Sequence, residues 1–230
     1  MIRCVRKIGL TLVETVVVLG IVSIIVVGAY QIFHEGILLF RVNQAAADGQ
    51  ASTMKVLGRM TSEISGAKPQ LVKHFDGSGG EPPGLVFASA LTDSGTTRFL
   101  ADTGQVYWQK IVCFYFEEDP SGGFDGKVFR CEEVIDPEDS SGPGNSVFAD
   151  VKSLVDARDT AYFEGNSSLP RRLIAEGISG LEVAPYAGEF GGAGASRKDS
   201  YNLVVESGNP TAGEDRGYYI KVDSRVTPQG

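Results

Sequence analysis

The sequence has few of the residues on which most enzyme and metal sites depend. Only two of its 230 residues are histidines, His34 and His74, and neither lies in a motif typical of a general base or a metal ligand. The chain also shows no phosphate-binding loop, nucleic-acid motif or internal repeat. We therefore expect a protein that is not an enzyme, with no catalytic residue, no cofactor and no metal site.

Positive charge is scarce as well. The chain has 21 lysines and arginines against 29 aspartates and glutamates, which gives a formal net charge of -8. An acidic surface repels the phosphates through which most proteins bind DNA. We therefore expect protein partners and no direct binding of nucleic acid.

Charge is almost absent from one long stretch near the N-terminus. Residues 10–33 are predominantly apolar, and Glu14 is the only charged residue among them. As a helix these residues span about 36 Å, which is enough to cross a bilayer. Three cations precede the stretch within residues 1–9, so the positive-inside rule predicts a single-pass topology with the N-terminus in the cytoplasm.

The residues around the start of this stretch differ from an ordinary secretory signal. The small residue, Gly9, lies before the apolar run instead of after it, and Glu14 is the fifth residue beyond Gly9. This arrangement resembles the processing signal of type IV pilins and pseudopilins. The resemblance implies cleavage between Gly9 and Leu10 by a dedicated prepilin peptidase, methylation of the new amino group of Leu10, and a role for Glu14 in filament assembly. The family more often has phenylalanine at the position of Leu10.

Glu14 also calls for a physical explanation. A carboxylate in the first turns of a membrane helix costs about 2.5–3.5 kcal/mol on insertion scales, so it needs a partner. Its own chain offers no partner nearby, and the charge best placed to neutralise it is the free α-ammonium of Leu10 on a neighbouring subunit. The alternative is that Glu14 lies at the membrane interface and contacts lipid headgroups.

The helix is predicted to continue outside the membrane as an amphipathic stem over residues 34–68. Apolar and small residues recur there at spacings of mostly three and four, while charged residues including Arg59 and Glu63 lie mainly elsewhere. Gly66 and Pro69 are the expected stop signals. We expect the stripe to pack against the chain's own head; its members are Ile37, Phe40, Gln44, Ala47, Ala51, Met54, Leu57 and Ile64.

Residues 69–230 are predicted to form a globular head rich in β-structure. A turn-rich loop, residues 76–84, leads into short runs of β-branched and aromatic residues without alternating crossover helices, which favours an α+β fold with antiparallel sheet. Residues 151–159 are predicted to form a short helix. The expected strands are 85–88, 105–108, 111–117, 127–134, 181–184, 201–206 and 218–226.

A second resemblance lies within the head. Residues 171–183, Arg-Arg-Leu-Ile-Ala-Glu-Gly-Ile-Ser-Gly-Leu-Glu-Val, are similar to a segment that leads into a late strand in J-type minor pseudopilins of type II secretion and in PilW-like minor pilins. Tyr107-Trp108 and Val128-Phe129-Arg130 stand in the order where those families have an aromatic strand and a strand that ends in arginine.

The cysteines predict a disulfide. Cys4 lies in the leader, which leaves Cys113 and Cys131 as a pair in a head exported to an oxidising compartment. In a hairpin register that places Cys113 opposite Cys131, two further complementary pairs also face each other, namely Tyr115 with Phe129 and Glu117 with Lys127. The alternative is two buried free thiols. The acidic segment within residues 117–125 suits the tip of a hairpin. Calcium binding by its carboxylates is an alternative that the sequence leaves open.

Together these features predict a cleaved leader (1–9), a transmembrane half-helix (10–33), an amphipathic half-helix (34–68) and a head (69–230). The resemblance implies a minor pilin or pseudopilin of the inner membrane that works by assembly into a filament, near its tip or in its initiation complex. Its expected partners are other subunits, prepilin peptidase, the assembly platform and the bilayer. The alternative function is a signal-anchored extracytoplasmic binding domain that never polymerises.

Overall fold

The computed structural model describes residues 11–92, 95–99, 106–120, 125–135, 148–185, 200–209 and 218–228. The chain divides into two compact units, Met1–Gln44 and Ala45–Gly230. The described part of the first unit is helical, and the second unit contains the head. The fold is α+β, as the sequence predicts.

The first element is a single helix, α1, that runs from Leu12 to Ser65. Apolar residues with good helix propensity fill its first half, and no proline interrupts it. It ends one residue before Gly66, and Pro69 then opens a short 3-10 turn, Pro69–Leu71. The prediction of one long helix is confirmed, and its end lies close to the predicted stop signals.

The buried face of α1 differs in part from the predicted stripe. Leu57 and Ile64 are buried, as expected, but Met54 is 57% exposed and Ala51 is exposed. Glu63, expected outside the stripe, is buried. The reason is geometric, because the face that packs on the head is centred about one residue away from the row of apolar residues; it comprises Gly49, Thr53, Val56, Leu57, Met60, Glu63 and Ile64.

The larger sheet is an antiparallel meander of five strands in the order β1-β2-β3-β4-β5. Its strands are Val72–Phe75 (β1), Gly84–Ser89 (β2), Lys110–Glu117 (β3), Gly126–Val134 (β4) and Arg171–Ile178 (β5). Each strand pairs with the next strand along the chain, and the connection from β4 to β5 contains two short helices. The register of β4 on β5 shifts beside Lys127 and again beside Phe129.

The central strand β3 is buried on both faces, so alternate side chains enter two separate cores. Val112, Phe114 and Phe116 belong to a core that also contains the buried face of α1. Ile111, Cys113 and Tyr115 belong to the opposite core, which two short helices cover. These helices are Phe148–Asp156 (α2) and Thr160–Gly165 (α3), the second capped by Asp159, whose carboxylate accepts a hydrogen bond from Tyr162 N.

The smaller sheet is an antiparallel meander of three strands, Gly180–Pro185 (β6), Tyr201–Asn209 (β7) and Tyr218–Val226 (β8). Its inward residues, Leu181, Val183, Leu203 and Val205, join the core that holds α1. The head therefore has three layers, with the five-stranded sheet between α2 and α3 on one face and α1 with the smaller sheet on the other.

One predicted strand is absent, two strands were not predicted, and the predicted short helix is shifted along the chain. Residues 105–108 form no strand in their described part, since Val106 makes only an isolated bridge to Phe99. Strands β1 and β5 were not expected as strands, because β1 has four residues and β5 is rich in arginine, glutamate and glycine. The short helix predicted at 151–159 begins earlier, at Phe148.

Candidate functional site

The carboxylate of Glu14 is held by the residue that precedes the helix. Thr11 N and Thr11 Oγ1 both donate hydrogen bonds to Glu14 Oε2, at 2.8 and 2.9 Å. Glu14 N in turn donates to Thr11 Oγ1 at 3.4 Å. This reciprocal pattern is a capping box, which satisfies two of the free N–H groups at a helix N-terminus.

The capping box changes the expectation that Glu14 has no partner in its own chain. Its carboxylate has two hydrogen-bond donors from Thr11, although neither carries a charge. The sequence signal for this contact is the Thr-x-x-Glu spacing of residues 11–14. Thr11 is therefore the residue of this site that sequence reasoning missed.

The helix beyond Glu14 presents apolar side chains all around. Leu12, Ile24 and Phe33 are 83%, 75% and 73% exposed, and most other large apolar residues described in the first unit are exposed as well. Ser23 Oγ donates to the Leu19 carbonyl at 2.8 Å, so this hydroxyl is satisfied within the helix. Within the described part of the chain, α1 is the one helix long and apolar enough to cross a membrane.

Two of the predicted site residues lie outside the described residues. These are Gly9 and Leu10, which flank the expected cleavage position. Cleavage and methylation therefore stay predictions that rest on the sequence alone.

The predicted register of the cysteine hairpin is confirmed. Strands β3 and β4 pair so that Cys113 lies opposite Cys131, Tyr115 opposite Phe129 and Glu117 opposite Lys127. Both cysteines are buried and are free thiols in the structure. Burial raises the pKa of each thiol, which keeps it protonated at neutral pH. The structure thus contains the register that a disulfide needs, and the bond itself stays a prediction.

The other two pairs of this hairpin contact Arg171 on β5. The rings of Tyr115 and Phe129 stack at 5.7 Å between centroids, and the Arg171 guanidinium lies 3.6 Å from the Phe129 centroid. Arg171 also forms the ion pair of Glu117. The expected salt bridge from Glu117 to Lys127 is therefore replaced by one to Arg171, which reaches across from the adjacent strand.

A chain of buried charges joins α1 to the larger sheet. Arg130 Nε donates to both carboxylate oxygens of Glu63 at 3.0 Å, and Arg130 Nη1 donates to Glu132 Oε2 at 2.8 Å. Lys110 Nζ lies 3.3 Å from the same Glu132 oxygen. Glu63, Arg130 and Lys110 are each less than 10% exposed. We call these four residues the buried ion network.

The electrostatics of the network favour the charged forms. Burial disfavours the charge on Arg130, but Glu63 and Glu132 outweigh it and raise the pKa of the guanidinium. Burial likewise raises the pKa of Glu132, and the hydrogen bond and charge of Arg130, with the charge of Lys110, lower that pKa by more. The stem glutamate is thus fixed to β4, a contact that no local sequence pattern indicates.

The carboxylates for which the sequence leaves calcium binding open lie around one small cavity of about 270 Å³ with Lys127 on its wall. Part of the intervening loop, residues 121–124, lies outside the described residues. Among the residues that are described, no three His, Cys, Asp or Glu side chains are grouped to hold a metal ion.

Comparison of the chain with protein-family models, curated proteins and solved structures found no match in any of the three. The class that the fold and the site define is an α+β head preceded by a long apolar helix, consistent with single-pass membrane anchoring.

Proposed function

We propose that the chain is a minor pilin or pseudopilin, a membrane-stored subunit that is built into a short helical filament. In this proposal a prepilin peptidase cuts between Gly9 and Leu10 and methylates Leu10. An inner-membrane assembly platform then moves the subunit from the bilayer into the filament, which serves protein secretion, adhesion, motility or DNA uptake. The observation that carries the proposal is the position of Glu14 as the lone charge within the apolar residues 10–33, whose described side chains are mostly exposed.

The apolar part of α1 requires an apolar environment in every state of the protein. Leaving exposed side chains such as Ile24 and Phe33 in water, instead of an apolar environment, would cost about 1.5–3 kcal/mol each. Lipid supplies this cover before assembly, and the helices of neighbouring subunits supply it in a filament. Transfer between the two environments exchanges one apolar surrounding for another, so it needs little net free energy.

In this proposal, Glu14 makes the transfer of the helix from lipid into the filament favourable. Its hydrogen bonds from Thr11 satisfy two lone pairs but leave the negative charge without a counter-ion inside this segment. A buried carboxylate gains most from a cation at hydrogen-bond distance. The free α-ammonium of Leu10 on a neighbouring subunit is such a cation, so the charge pair favours the assembled state over storage in lipid.

The size of the head favours a place near the tip or in the initiation complex. The described residues of the head form two sheets and two short helices, and a bulky head crowds a densely packed shaft. The three cations of the leader place the N-terminus in the cytoplasm, so the head is extracytoplasmic in this proposal.

Substitution of Glu14 by alanine tests the proposal. We expect Glu14→Ala to be cleaved normally and to keep a folded head, but to be lost from the sheared filament fraction, because the helix becomes cheaper to leave in lipid. Glu35→Ala removes a carboxylate from the same helix outside the apolar stretch and serves as the matched control. It should assemble like the parent chain.

Two results would contradict the proposal. The charge-pairing mechanism fails if Glu14→Ala enters filaments as well as Glu35→Ala does. The assembly function as a whole fails if the parent chain never leaves the membrane fraction in cells that hold the complete machinery, and the signal-anchored binding domain then becomes the better description.

A further inference from the structure

The head contains a polar cavity of about 480 Å³ beside the buried ion network. Four cationic side chains and two carboxylates line it, so positive charge is in excess. These are Arg59, Lys110, Arg130 and Arg172, with Glu63 and Glu132. We call it the cationic cavity. In a chain of net charge -8, a local excess of cations is unusual.

The two carboxylates of the cavity are already engaged by three of its cations. Glu63 binds Arg130 and also lies 2.5 Å from Arg59 Nε. Glu132 binds Arg130 and Lys110. Each carboxylate of the cavity is therefore paired with at least two cations that line it.

Arg172 is the cation left over. It lies directly opposite Arg130 in the pairing of β4 with β5, and like charges in directly opposed positions repel. Arg172 is exposed, and no ion pair joins it to a carboxylate within the part of the chain that the structure describes. Glu63 and Glu132 already pair with Arg130, so a further anion in the cavity would pair with Arg172.

The lining of the cavity favours a charged group of a protein partner. Small-molecule sites are mostly apolar with a few polar groups. Leu91 is the large apolar side chain among the described residues that line this cavity. Complementary charges across a protein interface fix its register and suppress wrong partners.

We propose that the cationic cavity binds a carboxylate-rich segment of a neighbouring subunit, with Arg172 as the residue that meets its carboxylates. The identity of the partner as a subunit rests on the proposed function. Because acidic surface prevails elsewhere on the chain, an acidic segment is repelled from most of the head and attracted here. The cavity would thus fix how two heads are oriented.

Binding of a labelled peptide to the full chain in zwitterionic detergent micelles tests the proposal. The probe is fluorescein-labelled hexaglutamate, with hexaglutamine as its control and fluorescence anisotropy as the readout. We expect saturable binding of hexaglutamate that weakens as salt is raised. Arg172→Gln should weaken it about fivefold to tenfold, and Arg172→Lys should restore part of it.

Lys152→Gln is the matched control variant. It removes one positive charge from α2, where the side chain is 44% exposed and pairs with Asp156. We expect its affinity for hexaglutamate to be within about twofold of that of the parent chain, because a charge outside the cavity contributes only long-range attraction, which salt screens. Fluorescence of the buried Trp108, the sole tryptophan, verifies that each variant is folded.

Three outcomes would overturn the proposal. The first is equal binding of hexaglutamate and hexaglutamine. The second is equal weakening by Arg172→Gln and Lys152→Gln, which would indicate attraction to net charge alone. The third is binding of inorganic phosphate at this cavity without binding of hexaglutamate, which would indicate a small-anion site. None of these results depends on filament assembly, so they are separate from the outcome for Glu14→Ala.

Discussion

Among single residues, Glu63 shows how a distant partner decides the environment of a charged side chain. On the helix it lies three residues after Met60 and next to Ile64, on the face that packs against the head. A charged residue in an amphipathic pattern is ordinarily assigned to the solvent face. Here the assignment fails because Arg130, 67 residues away, binds the carboxylate at both oxygens.

The same network predicts a specific response to acid. The pKa of Glu132 is lowered in the folded head, so its contribution to stability is present above the unfolded pKa of about 4.3 and is lost as pH falls through the folded pKa. We expect Glu132→Gln to lower the melting temperature at neutral pH and to approach the parent as the pH falls below about 4. Thermal melts followed by Trp108 fluorescence from pH 7 to pH 3 measure the difference.

Glu164, exposed on α3, supplies the control for this measurement. Glu164→Gln should give a melting temperature close to that of the parent at neutral pH, because surface substitutions usually change stability by less than about 0.5 kcal/mol. A gap between Glu132→Gln and the parent that stays constant down to pH 3 would contradict the assigned role of Glu132.

At the scale of elements, the hairpin of β3 and β4 was predictable because three complementary pairs agree on one register. Strand side chains alternate with a period of two, so one correct pair fixes all the others. Strand β5 was not predictable as a strand, because Arg171 and Arg172 at its start are exposed and resemble a loop in composition. Its place is set by pairing with β4, which is a tertiary contact.

The disulfide prediction belongs to this hairpin. We expect Cys113 and Cys131 to be bonded in exported protein, which would stabilise the head by about 3 kcal/mol, chiefly by restricting the unfolded chain. Because burial raises the pKa of both thiols, thiolate is scarce in the finished sheet, and oxidation is expected as the hairpin closes. Mass spectrometry of non-reduced peptides detects the bond. Full alkylation of both cysteines on denaturation without reductant would contradict it.

Two methionines of α1 test the position of its buried face. Met60 is fully buried and Met54 is 57% exposed, so Met60→Ala should lower the free energy of unfolding of the head by about 2–5 kcal/mol and Met54→Ala by less than about 1 kcal/mol. The two changes have the same helix propensity effect, which cancels in the comparison. Denaturant unfolding of the full chain in detergent, followed by Trp108 fluorescence, measures both. Equal losses would contradict this assignment of the buried face, and a larger loss for Met54→Ala would support the predicted stripe.

At the scale of the whole molecule, the division into an apolar helix and a β-rich head was readable from the sequence because charge and hydrophobicity change abruptly along the chain. Glu14 could be identified as a candidate functional residue for the same reason, because it is the lone charge in residues 10–33. The cationic cavity was not, since Arg59, Arg130 and Arg172 come from three separate elements and meet only when β4 and β5 pair beneath α1. The local sequence pattern indicates the character of a segment, whereas the topology decides which residues of distant segments come into contact.

The last prediction concerns the N-terminus of the mature molecule. We expect cleavage between Gly9 and Leu10, which removes three of the 21 cations, leaves 18 against 29 acidic residues and changes the net charge from -8 to -11. Intact mass and isoelectric focusing of membrane-extracted protein detect both changes. Gly9→Val should block cleavage, because a branched side chain obstructs the peptide bond at the membrane surface.

The control for this substitution is Gly20→Val, another glycine of the N-terminal segment. A Cβ at Gly20 meets no atom within 4 Å, so the helix has room for the side chain and processing should be unchanged. Recovery of only the full-length parent chain from cells that contain the peptidase would contradict cleavage. It would also remove the free ammonium of Leu10 that the proposed pairing with Glu14 requires, so the assembly mechanism depends on this result.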